Sequence, residues 1–135
     1  PCPIEVMKRV IRDMDCPQMT IMYGQTEASP VVTASGVDDP LEIRVSTVGR
    51  AMPETEVKIV NTAGETVAVG EQGELCTRGY QVMAGYDGDA EGTARAIDAD
   101  GWLHTGDLAA MRPDGYFRIT GRARDMIIRG GENIY

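Results

Sequence analysis

A helical periodicity opens the chain. Its apolar face recurs at i, i+3, i+4 and i+7, at Met7, Val10, Ile11 and Met14. This spacing predicts an amphipathic helix over residues 4–14. Pro17 then ends the helix, because proline disfavours helical geometry in the residue before it. We expect a short apolar strand over residues 19–22 that leads into a polar loop. This order is typical of the end of an α/β layer, where ligands bind beyond the carboxyl end of a strand.

After residue 30 the pattern changes to short β-branched runs separated by glycine and aspartate. Such runs predict short antiparallel strands joined by tight turns, one of them Pro113-Asp114-Gly115. One further helix is expected from residue 89 to residue 97. Many short strands at turn spacing favour a small distorted antiparallel barrel or a folded sheet, so the predicted fold class is α+β and mostly β. The expected strands are 56–60, 74–78, 108–111, 116–120 and 125–128, with further turns at 61–65 and 70–73.

Charge and composition exclude several classes of partner. The formal net charge is −8, which argues against a nucleic acid or an anionic membrane as the main partner. Cys2, Cys16 and Cys76 are odd in number and lack the spacing of a zinc site, so we expect reduced thiols in the cytoplasm. No apolar run approaches the ~20 residues that a membrane span requires. The chain is therefore predicted to carry no membrane span.

The loop at residues 23–27, Tyr-Gly-Gln-Thr-Glu, is the first candidate for chemistry. Gly24 would let the backbone approach a ligand closely, and Tyr23 offers a flat ring for a base. The Thr26 hydroxyl can donate to a phosphate oxygen, and the Glu27 carboxylate suits Mg²⁺. Taken alone, the pattern favours a turn with an N-cap threonine over a ligand site.

Thr105-Gly106-Asp107 is a shorter candidate of the same kind. The Asp107 carboxylate could accept hydrogen bonds from both hydroxyls of a ribose, although a turn aspartate would have the same local sequence. Three other positions favour a structural role. We expect Trp102 to lie in the core, His104 to make a structural hydrogen bond, and Arg78 to brace neighbouring loops.

Together with the last fifteen residues, these two stretches resemble the adenylate-forming enzymes. That family comprises acyl- and aryl-CoA synthetases, firefly luciferase and peptide-synthetase adenylation domains. The resemblance covers nearly the whole chain and runs in the family's order. It implies a piece of a larger two-domain enzyme. Residues 1–30 would be the carboxyl end of an α/β subdomain, 31–120 a barrel-like subdomain, and 121–135 the hinge and the start of a carboxy-terminal lid.

The resemblance also assigns roles residue by residue. Thr26 would meet the α-phosphate, and Glu27 would hold the metal; both are expected to act in catalysis. Asp107 and Arg122 would bind the ribose, and Asp125 would be the hinge. The remaining nucleotide contacts would be Tyr23 and Ile119 beside the adenine, with Gly24 and Gln25 in the same loop, and Gly130 and Gly131 would line the pantetheine tunnel.

The activity implied is that of an ATP-dependent acyl-CoA ligase, with Mg²⁺ as the ion and a fatty or aryl carboxylic acid, ATP and CoA as substrates. The ending Gly130 to Tyr135 favours this branch over peptide-synthetase adenylation domains. Two alternatives remain, namely an adenylation domain that loads a carrier protein and a non-catalytic binding module on the same barrel. The family's phosphate loop and lid lysine have no counterpart in residues 1–135, so we expect this piece to be inactive by itself. Because edge strands and apolar faces of the larger enzyme would be exposed in the piece, we also expect it to self-associate.

Overall fold

The computed structural model describes residues 3–123 in full and the strand backbones of residues 127–129 and 132–134. Asp125, Gly130 and Gly131, predicted as the hinge and the tunnel glycines, lie outside the described residues. The described elements are helices α1 (Ile4–Asp13), α2 (Leu41–Ser46) and α3 (Ala90–Ala96) and strands β1 (Met22–Gly24), β2 (Val31–Ala34), β3 (Arg50–Ala51), β4 (Thr55–Val60), β5 (Gln72–Gly79), β6 (Leu103–Met111), β7 (Phe117–Arg122), β8 (Ile127–Arg129) and β9 (Glu132–Ile134).

Helix α1 confirms the first periodicity and ends one residue before the predicted boundary. Pro3 precedes the first turn, where the missing N–H costs nothing. Met7 is the buried residue of this helix. Ile4, Val6 and Met14 remain exposed, so much of the apolar surface of α1 faces outwards.

The first sheet pairs β1, β2 and β3, all antiparallel. The strand predicted over residues 19–22 was wrong in its bounds, because β1 begins only at Met22. The Arg44 guanidinium explains the difference: its Nη1 donates to the carbonyl oxygens of Pro17 at 2.7 Å and Met19 at 2.8 Å. These carbonyls are bound to a side chain and not to a neighbouring strand.

The second sheet has the order β4-β5-β6-β7 and is antiparallel throughout. Its strands confirm four predicted segments, and β6 begins five residues earlier than expected. The predicted Pro-Asp-Gly turn joins β6 to β7, with Gly115 at φ 82° and its N–H bonded to the Arg112 carbonyl at 2.9 Å. The predicted helix at 89–97 is also confirmed, since the Asp89 side chain caps α3 by accepting from the Gly92 N–H.

These elements confirm the α+β, mostly β class. The four-stranded sheet has β4 and β7 at its edges, so within the described residues it is open and does not close into a barrel. Two backbone hydrogen bonds, Val48 N to Phe117 O and Phe117 N to Gly49 O, both 2.8 Å, join β7 to the segment before β3. The core beneath consists of Ala28, Val32, Ile59, Leu75, Leu103, Ala109 and Phe117.

Trp102 does not lie in this core as predicted. Its ring is half-buried and is covered by two cations, with Lys58 Nζ 4.2 Å and the Arg78 guanidinium carbon 4.6 Å from the ring centroid. Arg78 also donates twice to the Glu56 carboxylate at 2.9 Å and once to the Asp100 carbonyl at 3.2 Å. The predicted bracing role of Arg78 is confirmed.

Candidate functional site

Side chains from two other strands contact the carboxylate of Asp107. The phenol of Tyr23 in β1 donates to Oδ2 of Asp107 in β6 at 2.8 Å. Arg122 in β7 lies opposite Asp107 in the ladder, and its Nε is 2.8 Å from Oδ1. Tyr23 and Asp107 are 84 positions apart in sequence. The fold therefore brings together three of the predicted nucleotide residues.

The electrostatics of this group favour hydroxyl ligands. Asp107 is 5% exposed, so its carboxylate needs partners, and Arg122 supplies the opposite charge. Burial raises the pKa of Tyr23, and the neighbouring Asp107 charge raises it further, so the phenol stays a neutral donor. Each carboxylate oxygen carries two lone pairs. Among the described residues, Tyr23 and Arg122 use one on each oxygen, which leaves capacity for two further donors.

A bend in β6 determines where Asp107 points. Gly106 has φ 71°, a conformation that glycine tolerates best, and its N–H donates to Glu74 Oε1 at 2.9 Å. The Thr105 hydroxyl donates to the Leu75 carbonyl at 2.7 Å and accepts from the Asp107 N–H at 3.1 Å. The Thr105 side chain and the Gly106 backbone are thus both tied to β5, and the Asp107 carboxylate is held towards Tyr23.

The loop after β1 folds into a short 3₁₀ turn at Thr26–Ala28. Ala28 is fully buried and anchors the turn in the core. A Cβ on Gly24 would overlap the Pro30 carbonyl oxygen. Glycine is therefore required at position 24 for a reason other than the expected close approach to a ligand. The backbone that returns at Pro30 occupies the space where a side chain would lie.

Glu27 is held by the segment that precedes α3. Its carbonyl accepts from the Met83 N–H at 2.9 Å, and its Oε1 accepts from the Tyr86 phenol at 2.9 Å. Within the described part of the chain, no other side-chain hydrogen bond to this carboxylate is present. Thr26 in the same turn is exposed and Gln25 is half-buried. Thr26 and Glu27 thus offer a hydroxyl and a carboxylate from adjacent positions of one turn, three and four residues beyond Tyr23.

Ile119 behaves differently from the other predicted site residues. It lies in β7 opposite Ala109 and is half-buried against the core. The expected position beside an adenine stays a prediction.

Sequence reasoning missed two residues of this region, Glu74 and Tyr86. The sequence predicts only that Glu74 lies in a strand. The pairing of β5 with β6 is what brings its carboxylate to Gly106. Tyr86 is 59 positions from Glu27, and no local pattern connects them. The predicted hydrogen bond of His104 is confirmed, since its Nδ1 is 2.9 Å from Glu74 Oε2.

The chain belongs to the family of AMP-binding enzymes, whose pattern matches residues 1–87. This is the adenylate-forming family that the three motifs indicated. The sequence is 61% identical to a protein of Bacillus subtilis (strain 168) named "Putative acyl-CoA synthetase YngI", over the whole of this chain and 25% of that protein. The chain spans about a quarter of the length of the curated relatives it matches.

Two solved structures of longer proteins resemble the fold. The o-succinylbenzoate CoA synthetase of Bacillus subtilis, in complex with its product analogue OSB-NCoA, has a TM-score of 0.86 and 29% identity, covering 100% of this chain and 27% of that one. ATP-bound MatB from Rhodopseudomonas palustris has a TM-score of 0.71 and 33% identity, covering 84% of this chain and 22% of that one. Both solved proteins are about four times as long as this chain.

Among the described residues, no helix has the length and apolar character needed to cross a membrane.

Proposed function

We propose that the full-length protein containing this chain is an ATP-dependent acyl-CoA ligase. The observation that carries the proposal is the Tyr23–Asp107–Arg122 group, a nearly buried carboxylate held by a phenol and a guanidinium with capacity for two more hydrogen bonds. The vicinal hydroxyls of the ATP ribose fit this capacity. Membership of the AMP-binding family and the names of the relatives support the same assignment.

Each neighbouring residue then has a role in binding ATP. Tyr23 packs its ring beside the adenine, with Gly24 and Gln25 in the same loop and Ile119 on the other side. Arg122 contacts the ribose together with Asp107. Thr26 donates to the α-phosphate, where charge develops during the attack.

The donor set at Glu27 suits Mg²⁺, a hard cation that prefers carboxylate oxygens and waters. Tyr86 occupies Oε1 and orients the carboxylate, so Oε2 is the oxygen we assign to the cation. When bound, the cation would neutralise phosphate charge. The Glu27 backbone is fixed by Met83, which keeps this oxygen in place during turnover.

The reaction has two steps. An oxygen of the substrate carboxylate attacks the α-phosphorus of ATP, and pyrophosphate leaves, which gives an acyl-AMP mixed anhydride. The thiolate of CoA then attacks the acyl carbon, and AMP leaves as the thioester forms. The chain needs to supply no covalent nucleophile, since positioning and charge neutralisation provide the catalysis. Gly130 and Gly131 would line the path of the pantetheine, and Asp125 would be the hinge between the two steps.

The acid is a fatty or aryl carboxylic acid, and the compartment we propose is the cytoplasm. Within the described residues Cys16 and Cys76 are free thiols, as a reducing compartment would keep them. The 135-residue piece by itself is proposed to be inactive.

The test is an ATP–pyrophosphate exchange assay on the full-length protein with a panel of aliphatic and aryl acids. Exchange that depends on one class of acid is expected, followed by thioester formation with CoA. Exchange without CoA transfer, but with loading of a holo carrier protein, would favour an adenylation domain. The absence of both exchange and ATP binding would favour a non-catalytic module and refute the proposal.

A further inference from the structure

A second cluster of ionisable side chains lies next to the Thr105–Asp107 segment, because Glu74 accepts a hydrogen bond from the Gly106 N–H. It consists of Glu74, Cys76 and His104, whose ligand atoms all lie within 4.8 Å of one another. Cys76 in β5 lies opposite His104 in β6, and Glu74 is two positions before Cys76, on the same face of the strand. The distances from His104 Nδ1 are 2.9 Å to Glu74 Oε2 and 3.4 Å to Cys76 Sγ.

We propose that Glu74, Cys76 and His104 form a binding site for a divalent cation of the zinc class. Thiolate, imidazole and carboxylate are the three ligand types that Zn²⁺ takes in proteins. Hard cations such as Mg²⁺ and Ca²⁺ prefer oxygen ligands, so a set that contains a thiolate and an imidazole does not favour them. Ligand atoms of a tetrahedral zinc site are about 3.3–3.8 Å apart at ordinary bond lengths. The Nδ1–Sγ separation of 3.4 Å already matches, and the Nδ1–Oε2 separation has to open by only a few tenths of an ångström.

The surroundings orient two of the three ligands, His104 and Glu74. Asp98 Oδ2 lies 3.6 Å from His104 Nε2, so the imidazole proton can sit on Nε2 while Nδ1 faces the cation. A carboxylate on the distal nitrogen is the usual outer partner of a metal-bound histidine. Glu74 divides its two oxygens, because Oε1 accepts from the Gly106 N–H and Oε2 faces the cluster.

The cluster is partly exposed at His104 and Glu74. Cys76 is fully buried, whereas the side chains of His104 and Glu74 are 31% and 28% exposed. A cation can therefore enter past the imidazole and carboxylate and retain one water at its fourth position. Burial, and then the charge of Glu74, raises the pKa of the Cys76 thiol to about 12, so cation binding has to release the thiol proton.

Cobalt substitution tests the site directly. Co²⁺ is titrated into the metal-free full-length protein under reducing conditions, and absorption is recorded in the near ultraviolet and the visible. We expect a thiolate-to-cobalt charge-transfer band together with the intense visible bands of four-coordinate Co²⁺. One equivalent of Zn²⁺ should bleach both.

Matched variants assign the ligands. Cys76→Ser and His104→Gln should each abolish the charge-transfer band, whereas Cys16→Ser, at the exposed cysteine, should retain it. Asp98→Asn should weaken binding about 10- to 100-fold, the usual cost of losing an outer partner. Circular dichroism shows whether each variant is folded. If Cys76→Ser does not fold, the charge-transfer band of His104→Gln tests the cation site.

Either of two results would overturn the proposal. One is a spectrum of hexa-aqua Co²⁺ alone at millimolar cobalt, which would mean that the cluster is only a hydrogen-bonded brace. The other is a charge-transfer band that persists in both Cys76→Ser and His104→Gln. Neither result bears on the ligase activity, which is measured separately by pyrophosphate exchange.

Discussion

Asp107 illustrates how a single carboxylate can organise a site at the residue scale. It is almost fully buried, yet both oxygens have partners from different strands, Tyr23 from one sheet and Arg122 from the other. Its backbone is held by a glycine at positive φ and by the Thr105 hydroxyl. The same contacts that stabilise the carboxylate also fix the direction in which it can accept hydroxyl donors.

Asp107→Asn tests this role in the full-length protein. The amide keeps the shape but loses the charge and one acceptor, so a ribose hydroxyl loses a charge-assisted hydrogen bond worth about 1.5–3 kcal/mol. The KM for ATP should therefore rise about 10- to 150-fold in pyrophosphate exchange. Asp114→Asn is the matched control, an aspartate paired with Arg112 in the β6–β7 turn. An unchanged KM for ATP in Asp107→Asn would refute the ribose assignment.

At the scale of elements, the loop after β1 depends on a close passage of the backbone. Gly24 is the last residue of β1, and the register with β2 shifts between Tyr23 and Gly24. The chain then turns through Thr26–Ala28, with Ser29 at φ 50°, and returns at Pro30 beside Gly24. The positions of Tyr23 and Glu27 therefore depend on a residue that makes no side-chain contact.

Gly24→Ala should destabilise the protein by more than about 3 kcal/mol, because the new methyl group would overlap a backbone carbonyl that cannot rotate away. Thermal or urea unfolding of the full-length protein measures this. Gly121→Ala is the control, since a Cβ there meets no described atom within 4 Å and the backbone needs no positive φ. Equal stability of the two variants would contradict the prediction, because it would mean that the backbone at Pro30 can move away from the new methyl group.

The sequence predicted these elements unevenly, for physical reasons. Long periodic segments such as α1 and the strands of the second sheet were found because their burial follows one period. The strands β2 and β3 and the six-residue helix α2 were missed, since elements this short are specified by contacts distant in sequence. Among site residues, Asp107 and Arg122 were identified through motifs, whereas Glu74 and Tyr86 were missed because only the folded chain brings them to Gly106 and Glu27.

At the scale of the whole molecule, the outer surface of α1 bears on association. Val6 and Met14 are 48% and 67% exposed, and they border a shallow groove with Val10, Arg9 and Asp13. An apolar helix face of this kind is usually covered by another surface. We expect two copies of the 135-residue chain to pack these faces together.

Sedimentation velocity or light scattering at micromolar concentration should therefore show dimers or larger species of the 135-residue chain. The double variant Val6→Gln with Met14→Gln should shift the chain towards monomer. Val69→Gln, at a valine in a turn that is 52% exposed, should leave association unchanged. A monodisperse monomer for the unsubstituted chain would contradict the prediction.

The last prediction concerns movement between the two half-reactions. Arg122 is tied to Asp107 at the end of β7, and the separate hairpin of β8 and β9 pairs only within itself among the described strands. Asp125 lies between them in sequence, outside the described residues. We propose that it is the hinge. Proline there would fix φ near −65° and trap one arrangement.

In the full-length protein, Asp125→Pro should leave pyrophosphate exchange largely intact while reducing thioester formation at least about tenfold. Asp125→Ala, which keeps φ free, should be much milder in both assays, because a hinge needs rotation and not a carboxylate. A ligand role predicts a different pattern, in which Asp125→Ala and Asp125→Pro reduce both half-reactions equally. Measuring the two half-reactions separately in both variants therefore distinguishes a residue that moves the chain from one that binds substrate.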